Sequence, residues 1–244
     1  MADSNLNAAD FSGPSRSSAI SERKTNLATR SFWKRVSRRI KLVILRTSLS
    51  DLILPLQLHR ELLAWEKRGR TDPRPHLLKQ SEVKEYAERL QLRTLIETGT
   101  YVGAMISATK NLFTRIISIE LDQDLAEAAR KRFSKFSHIS ILQGDSGETL
   151  GKLLVNINEP CLFWLDAHYS EGLTTKGKIE TPILQELQHV LHHPVKGHVI
   201  LIDDARCFVG RNDYPTIERL RNFVFHARPD LVFKVQNDII RIHE

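Results

Sequence analysis

Thr94-Leu95-Ile96-Glu97-Thr98-Gly99-Thr100-Tyr101-Val102-Gly103 is the stretch that decides the fold. Its first residues run apolar and β-branched into Glu97, as a short strand buried on both faces does. Gly99 and Gly103, four apart, let the backbone turn tightly and come close to a ligand. A helical pattern over 104–113 follows at once. The loop therefore delivers its backbone amides to a helix N-terminus, which favours an anionic or carboxylate-bearing group.

Downstream the same alternation repeats. Residues 116–120, 139–142, 161–166 and 199–203 read as strands. Residues 123–133, 148–155, 182–192 and 216–226 read as helices. Upstream, 81–90 reads as a helix with Ser81 as its N-cap. Strands alternating with helices predict a parallel sheet covered on both faces. The end breaks the pattern: 231–235 and 239–242 flank Gln236-Asn237-Asp238 as a tight β-hairpin. The expected fold is α/β, a Rossmann-like, doubly wound, mostly parallel seven-stranded sheet. It closes with an antiparallel C-terminal hairpin strand and carries an N-terminal helical extension.

The chain has 244 residues, a length for one domain or one domain with an extension. Two cysteines, Cys161 and Cys207, cannot build a disulfide framework or a Cys-rich zinc site. No uncharged apolar run reaches the roughly 18 residues of a membrane span, and no signal-like stretch opens the sequence, so a cytoplasmic location is expected. Of the net charge of +7, residues 1–50 hold all, with 10 Lys/Arg against 3 Asp/Glu. Three regions follow: a polar, disordered tail (1–30), an amphipathic helical extension and linker (31–75), and a catalytic-looking body (76–244). The basic helix over 31–46, with Trp33 among its apolar residues, has three readings: a cover over the site, a peripheral contact with an anionic membrane face, or an RNA contact. RNA ranks last because the body is charge-balanced.

In open α/β sheets ligands bind beyond the carboxyl ends of the strands. Glu97 ends the first strand and leads into the glycine loop. Glu120 ends the second, where it can accept hydrogen bonds from ribose hydroxyls. Asp145 follows the third, where it can take an adenine amino group or simply cap a helix. Asp166-Ala167-His168 follows the fourth, and Asp203-Asp204 the fifth. A bland reading of that pair has Asp204 joined to Arg206 and Asp203 capping the next turn. His189, His192, His193 and His198 read as solvated.

The glycine loop 97–103, the acid Glu120, the Gly144-Asp145 pair and the closing hairpin together resemble class I S-adenosylmethionine-dependent methyltransferases, over residues 76–244. Tyr101 stands where that family often has a middle glycine. The resemblance implies that Glu97, Gly99, Tyr101, Gly103, Glu120 and Asp145 hold S-adenosylmethionine. Asp166 with Asp203 and Asp204 is similar to the Mg²⁺ site of metal-dependent O-methyltransferases of the catechol and macrolide-sugar types. There the metal would lower the pKa of a substrate hydroxyl. In the sugar-modifying group the general base is an aspartate at the position of His168, so His168 and Asp166 are the expected catalytic residues. Residues 165–170, 202–206 and the polar segment 174–182, which reads as a lid, resemble methyltransferase-like proteins of glycan gene clusters. The implied reaction is O-methylation of a glycan or small-molecule hydroxyl. The competing readings are an NAD(P)-dependent oxidoreductase and a non-catalytic scaffold of a membrane-associated glycan assembly complex. Oligomeric state stays open.

Overall fold

A computed structural model describes residues 42, 43, 45, 47, 49–166 and 181–244, all within one compact unit, Lys41–Glu244. The expectations for 1–30, for most of the basic helix 31–46, for His168 and for most of the lid fall outside the described residues.

Residues 42, 43 and 45 are helical, and the first helices with described bounds are α1 (Leu49–Lys67) and α2 (His76–Arg89). Then β1 (Thr94–Thr98), α3 (Ala104–Thr109), β2 (Arg115–Glu120), α4 (Gln123–Phe133), β3 (Ile139–Gln143), α5 (Ser146–Leu154) and β4 (Cys161–Leu165) alternate. After them come α6 (Ile183–Leu191), β5 (Val199–Ile202), α7 (Ile217–Ala227), β6 (Val232–Gln236) and β7 (Ile239–His243).

The seven strands form one sheet in the order β3-β2-β1-β4-β5-β7-β6. Among these seven, β7 alone runs against the direction of the other six, pairing antiparallel with β5 and β6. The expected closing hairpin is present. Asn237 and Asp238 both have φ near +60° (57° and 59°), the geometry of a two-residue type I′ turn.

Side chains along the central strands alternate between two cores. Ile96, Phe163 and Ile200 point to the layer made with α5, α6 and α7. Leu95, Leu162, Trp164 and Leu201 point to the layer made with α2, α3 and α4. Two-sided burial explains why these strands read as continuous apolar runs.

One boundary differs from the sequence reading in a way that matters. The helix expected from Ser81 starts five residues earlier, at His76, directly after Pro75. Proline's fixed φ suits the residue that precedes a helix's first turn, here φ −58°. Ser81 is not a cap: its hydroxyl donates to the Leu77 carbonyl inside the helix. The earlier start puts His76, Lys79, Gln80 and Val83 on one face, turned toward the sheet.

Candidate active site

The site is built at the carboxyl edge of the sheet, where parallel register aligns the strand ends. Glu97 pairs with Ser118, and Thr98 with Ile119 on one side and Leu165 on the other. Leu165 is level with Ile202. The ladder continues past the strands: Asp166 N–H donates to the Thr98 carbonyl (3.0 Å), and Asp203 N–H to the Leu165 carbonyl (3.1 Å). Glu97, Asp166 and Asp203, distant in sequence, thus reach one edge.

The glycine loop lies there too. Gly99 and Gly103 have φ of +87° and +68°, and Tyr101 also takes a positive φ, +46°. Glu120 holds this shape: its Oε2 accepts the Tyr101 N–H at 2.8 Å, and its Oε1 the Asp122 N–H at 2.9 Å. Arg132 on α4 braces the far side, donating to the Val102 carbonyl at 2.7 Å and the Ser107 hydroxyl at 2.8 Å. Glu97 is buried and accepts a 2.5 Å hydrogen bond from Ser118 Oγ, which in turn lies 2.6 Å from Thr100 Oγ1. Asp145 caps α5, accepting the Gly147 N–H at 2.9 Å, so its helix-cap reading is realised.

A cavity of about 450 Å³ opens above the loop. Glu97, Gly99, Tyr101, His76 and Asp166 line it, and Ile53, Leu54 and Leu58 of α1 form an apolar wall. Glu120 and Asp145 stand outside this lining.

Asp166, Asp203 and Asp204 converge: one carboxylate oxygen from each lies within 4.8 Å of the others. Lys79 joins two of the three. Its Nζ donates to Asp203 Oδ2 at 2.7 Å and to Asp204 Oδ1 at 2.9 Å. The Asp204–Arg206 part of the bland reading is also present, while the turn 205–207 has no side-chain cap. Arg206 donates to Asp204 at 2.7 Å and pairs with Asp238 of the hairpin turn, while Asp203 Oδ1 accepts the Asp204 N–H at 2.7 Å.

No family model matches the sequence. Ribosomal RNA small subunit methyltransferase A of Acidobacterium capsulatum is 33% identical over 63 residues, 26% of this chain and only 22% of that protein's length. The O-methyltransferase of Bacillus cereus, solved in complex with SAH, superposes with a TM-score of 0.52 at 16% identity, covering 80% of this chain and 95% of its own. The O-methyltransferase TomG of Streptomyces achromogenes, involved in tomaymycin synthesis and solved with SAM, gives 0.50 at 19% identity, covering 76% and 87%. The chain has the class I methyltransferase fold. The sheet order agrees, since the dinucleotide-binding Rossmann sheet runs 3-2-1-4-5-6 without an antiparallel strand inserted before the last.

On this methyltransferase fold, burial decides the charge states. Glu97 is pushed up to about 8 by burial, with the charges of Asp166 and Glu120 adding and Ser118 opposing. Burial likewise raises Glu120, against its hydrogen bonds from Asp122 and Tyr101. Burial holds His76 below its ordinary value, and the charge of Asp166 opposes. Burial alone would lower Lys79, but Asp203, Asp204 and Asp166 outweigh it and keep the ammonium charged. Burial and the neighbouring carboxylates of Asp166 and Asp204 push Asp203 up.

His76 and Lys79 are the site residues that sequence reasoning missed, together with Glu186 on α6, which burial pushes up to about 7. A signal existed. His76, Lys79, Gln80 and Val83 recur at helical spacing, so two polar residues and a histidine interrupt an apolar stripe. The early proline-rich segment hid it. The four downstream histidines correct in part as well. His193 is buried, with Nδ1 2.8 Å from His198 Nε2 and Nε2 3.0 Å from the Leu154 carbonyl. His189 is bonded to the Gly147 carbonyl, and only His192 is exposed.

Proposed function

We propose that the protein transfers a methyl group from S-adenosylmethionine to a hydroxyl oxygen of a glycan or small molecule. The observation that carries this is the cavity above a positive-φ glycine loop, at the strand ends that bear Glu97 and Asp166. Two fold neighbours named O-methyltransferases, one with SAH and one with SAM, support the donor and the oxygen acceptor.

The donor supplies an electrophilic methyl on a sulfonium. Transfer is an in-line displacement in which the O–C bond forms as the S–C bond breaks, so positioning and charge account for most of the acceleration. The glycine loop, shaped by Glu120 and Arg132, would seat the methionine portion. Glu97 and Tyr101 would border it, and Asp145 would meet the adenine end. The leaving proton would pass to Asp166, or to His168 two residues on. His76 faces the same cavity; its Nδ1 is 2.9 Å from the Gln80 amide nitrogen, which leaves Nε2 as a hydrogen-bond donor to the acceptor.

Three converging carboxylates are a donor set of the kind a hard cation uses. With Lys79 bonded to both Asp203 and Asp204, however, Mg²⁺ does not fit beside it.

The basic segment 31–46 remains a proposed membrane contact. Among the described residues no helix is long and apolar enough to cross a membrane. The short match to a ribosomal RNA methyltransferase supports a second reading, an RNA acceptor. Calorimetric titration with S-adenosylmethionine tests the proposal. Micromolar binding is expected, and absence of heat at ~1 mM ligand, an affinity weaker than about 4 kcal/mol, would overturn it. Methyl transfer to RNA rather than to saccharides or phenols would favour the second reading. NAD binding instead would return the oxidoreductase, and binding without transfer to any acceptor would return the scaffold.

A further inference from the structure

We infer that the Lys79 ammonium is the resident cation of the Asp166–Asp203–Asp204 cluster, and that the site works without a divalent metal. The inference rests on the methyl-transfer reading for the reaction served, but not for the charge arrangement itself.

The geometry is specific. Lys79 Nζ makes two charge-assisted hydrogen bonds, 2.7 and 2.9 Å long, to Asp203 Oδ2 and Asp204 Oδ1, one oxygen from each of two of the three converging carboxylates. A bound Mg²⁺ needs carboxylate oxygens at about 2.0–2.1 Å and an open octahedral shell. At Asp203 Oδ2 and Asp204 Oδ1 it would have to displace the ammonium, and elsewhere in the cluster it would sit against a like charge in a poorly solvated site. Lys79 has no easy retreat. Its side chain is 9% exposed, and α2 is pinned to the sheet by Val83, Tyr86 and Ala87. Lysine usually buries its charge only when paired, and here the pairing is with two carboxylates.

The rest of the surroundings complete the cation's work. Arg206 supplies a second positive charge to Asp204 and is itself anchored by Asp238 of the hairpin turn. His76 lies one turn before Lys79 and faces the cavity. The ammonium thus fixes the Asp203 and Asp204 carboxylates and holds one positive charge beside the cavity. Lys79 is a positioning residue: a tethered, non-exchanging charge where a hydrated metal would exchange.

The test is a Mn²⁺ titration of the full-length protein, followed by electron paramagnetic resonance in chelator-stripped buffer, beside the S-adenosylmethionine titration in EDTA and in Mg²⁺. The wild-type protein is expected to show no Mn²⁺ binding that Asp203→Asn removes, and the same cofactor affinity in both buffers. Lys79→Ala and the longer, apolar Lys79→Met leave the buried Asp203 and Asp204 carboxylates, beside the half-buried Asp166, without their ammonium. They are expected to bind Mn²⁺ about tenfold or more tighter than wild type, in an Asp203-dependent way, and to gain melting temperature with Mn²⁺ where wild type does not. Wild-type Mn²⁺ binding lost in Asp203→Asn overturns the inference, whether or not the variants fold. A folded Lys79→Ala that gains no metal affinity also overturns it. Failure of the methyl-transfer reading is separate, since it shows as absent cofactor binding in every buffer.

Discussion

Cofactor binding should release a proton from Glu97, and the structure sets the size of the effect. Glu97 is 2% exposed, and burial with the nearby charges of Asp166 and Glu120 pushes it up to about 8. At pH 7 roughly ten of eleven molecules therefore carry the proton. S-adenosylmethionine brings a sulfonium into the cavity that Glu97 lines, and a cation there favours the carboxylate. If binding requires the ionised form, affinity should tighten about tenfold between pH 7 and pH 9, or about 1.4 kcal/mol, and flatten above. Close to one proton should be released at pH 7. Glu97→Gln keeps the shape and still accepts from Ser118 Oγ, but has no proton to lose. The assay is calorimetry in buffers of different ionisation enthalpy, run on both proteins from pH 6 to 9. The cofactor's own α-amino group titrates near pH 8, but equally for both, so the ratio of affinities is the readout. A ratio that stays flat across this range would refute the reasoning. Stability moves the other way. The folded-state pKa, about 8, lies above the ordinary carboxyl value of 4.5, so this contribution is full below pH 4.5 and lost as pH rises through 8. Without cofactor, Glu97→Gln should therefore melt higher than wild type at pH 9.

Gly103→Ala should destabilise the fold by about 2–4 kcal/mol, because the left-handed backbone and overpacking both oppose a Cβ. The added carbon would lie 2.8 Å from Phe133 Cε2. Phe133→Leu in the same chain should recover part of the urea-midpoint loss, and a double variant no better than the single would count against steric conflict as the cause. At the opposite end of the sheet, His198 accepts the Cys161 N–H through Nδ1 and meets His193 through Nε2, contacts that suit the neutral His198 ring. Burial, with the charges of His193 and Arg228 adding, takes His198 down to about 4. Unfolded chains bind its proton below about pH 6.5, so this contribution is present above that pH and lost as pH falls toward 4. After allowing for solvent screening of a half-buried ring, the loss should be about 1–2 kcal/mol. His198→Gln should flatten the fall of stability over that window, and an unchanged slope would remove His198 as its source.

What the sequence by itself determined was local and periodic. The two-sided strands, the Gly99 and Gly103 turn, and the Asn237-Asp238 hairpin are each written in a few adjacent residues, because burial on both faces and positive φ constrain residue type at the position where they act. Those signals also marked the strand ends where Glu97, Glu120, Asp166, Asp203 and Asp204 stand. Only the tertiary structure decided what these acids touch. Glu120 turned out to hold the Tyr101 backbone, and Asp145 to cap α5. The deciding partner, Lys79, lies 124 and 125 positions before the two carboxylates it joins, on a helix whose start was hidden behind Pro75. A short-range pattern cannot show such a pairing. The energy that places the ammonium comes from Val83, Tyr86 and Ala87 packing α2 onto the sheet, and the lysine follows the helix they dock.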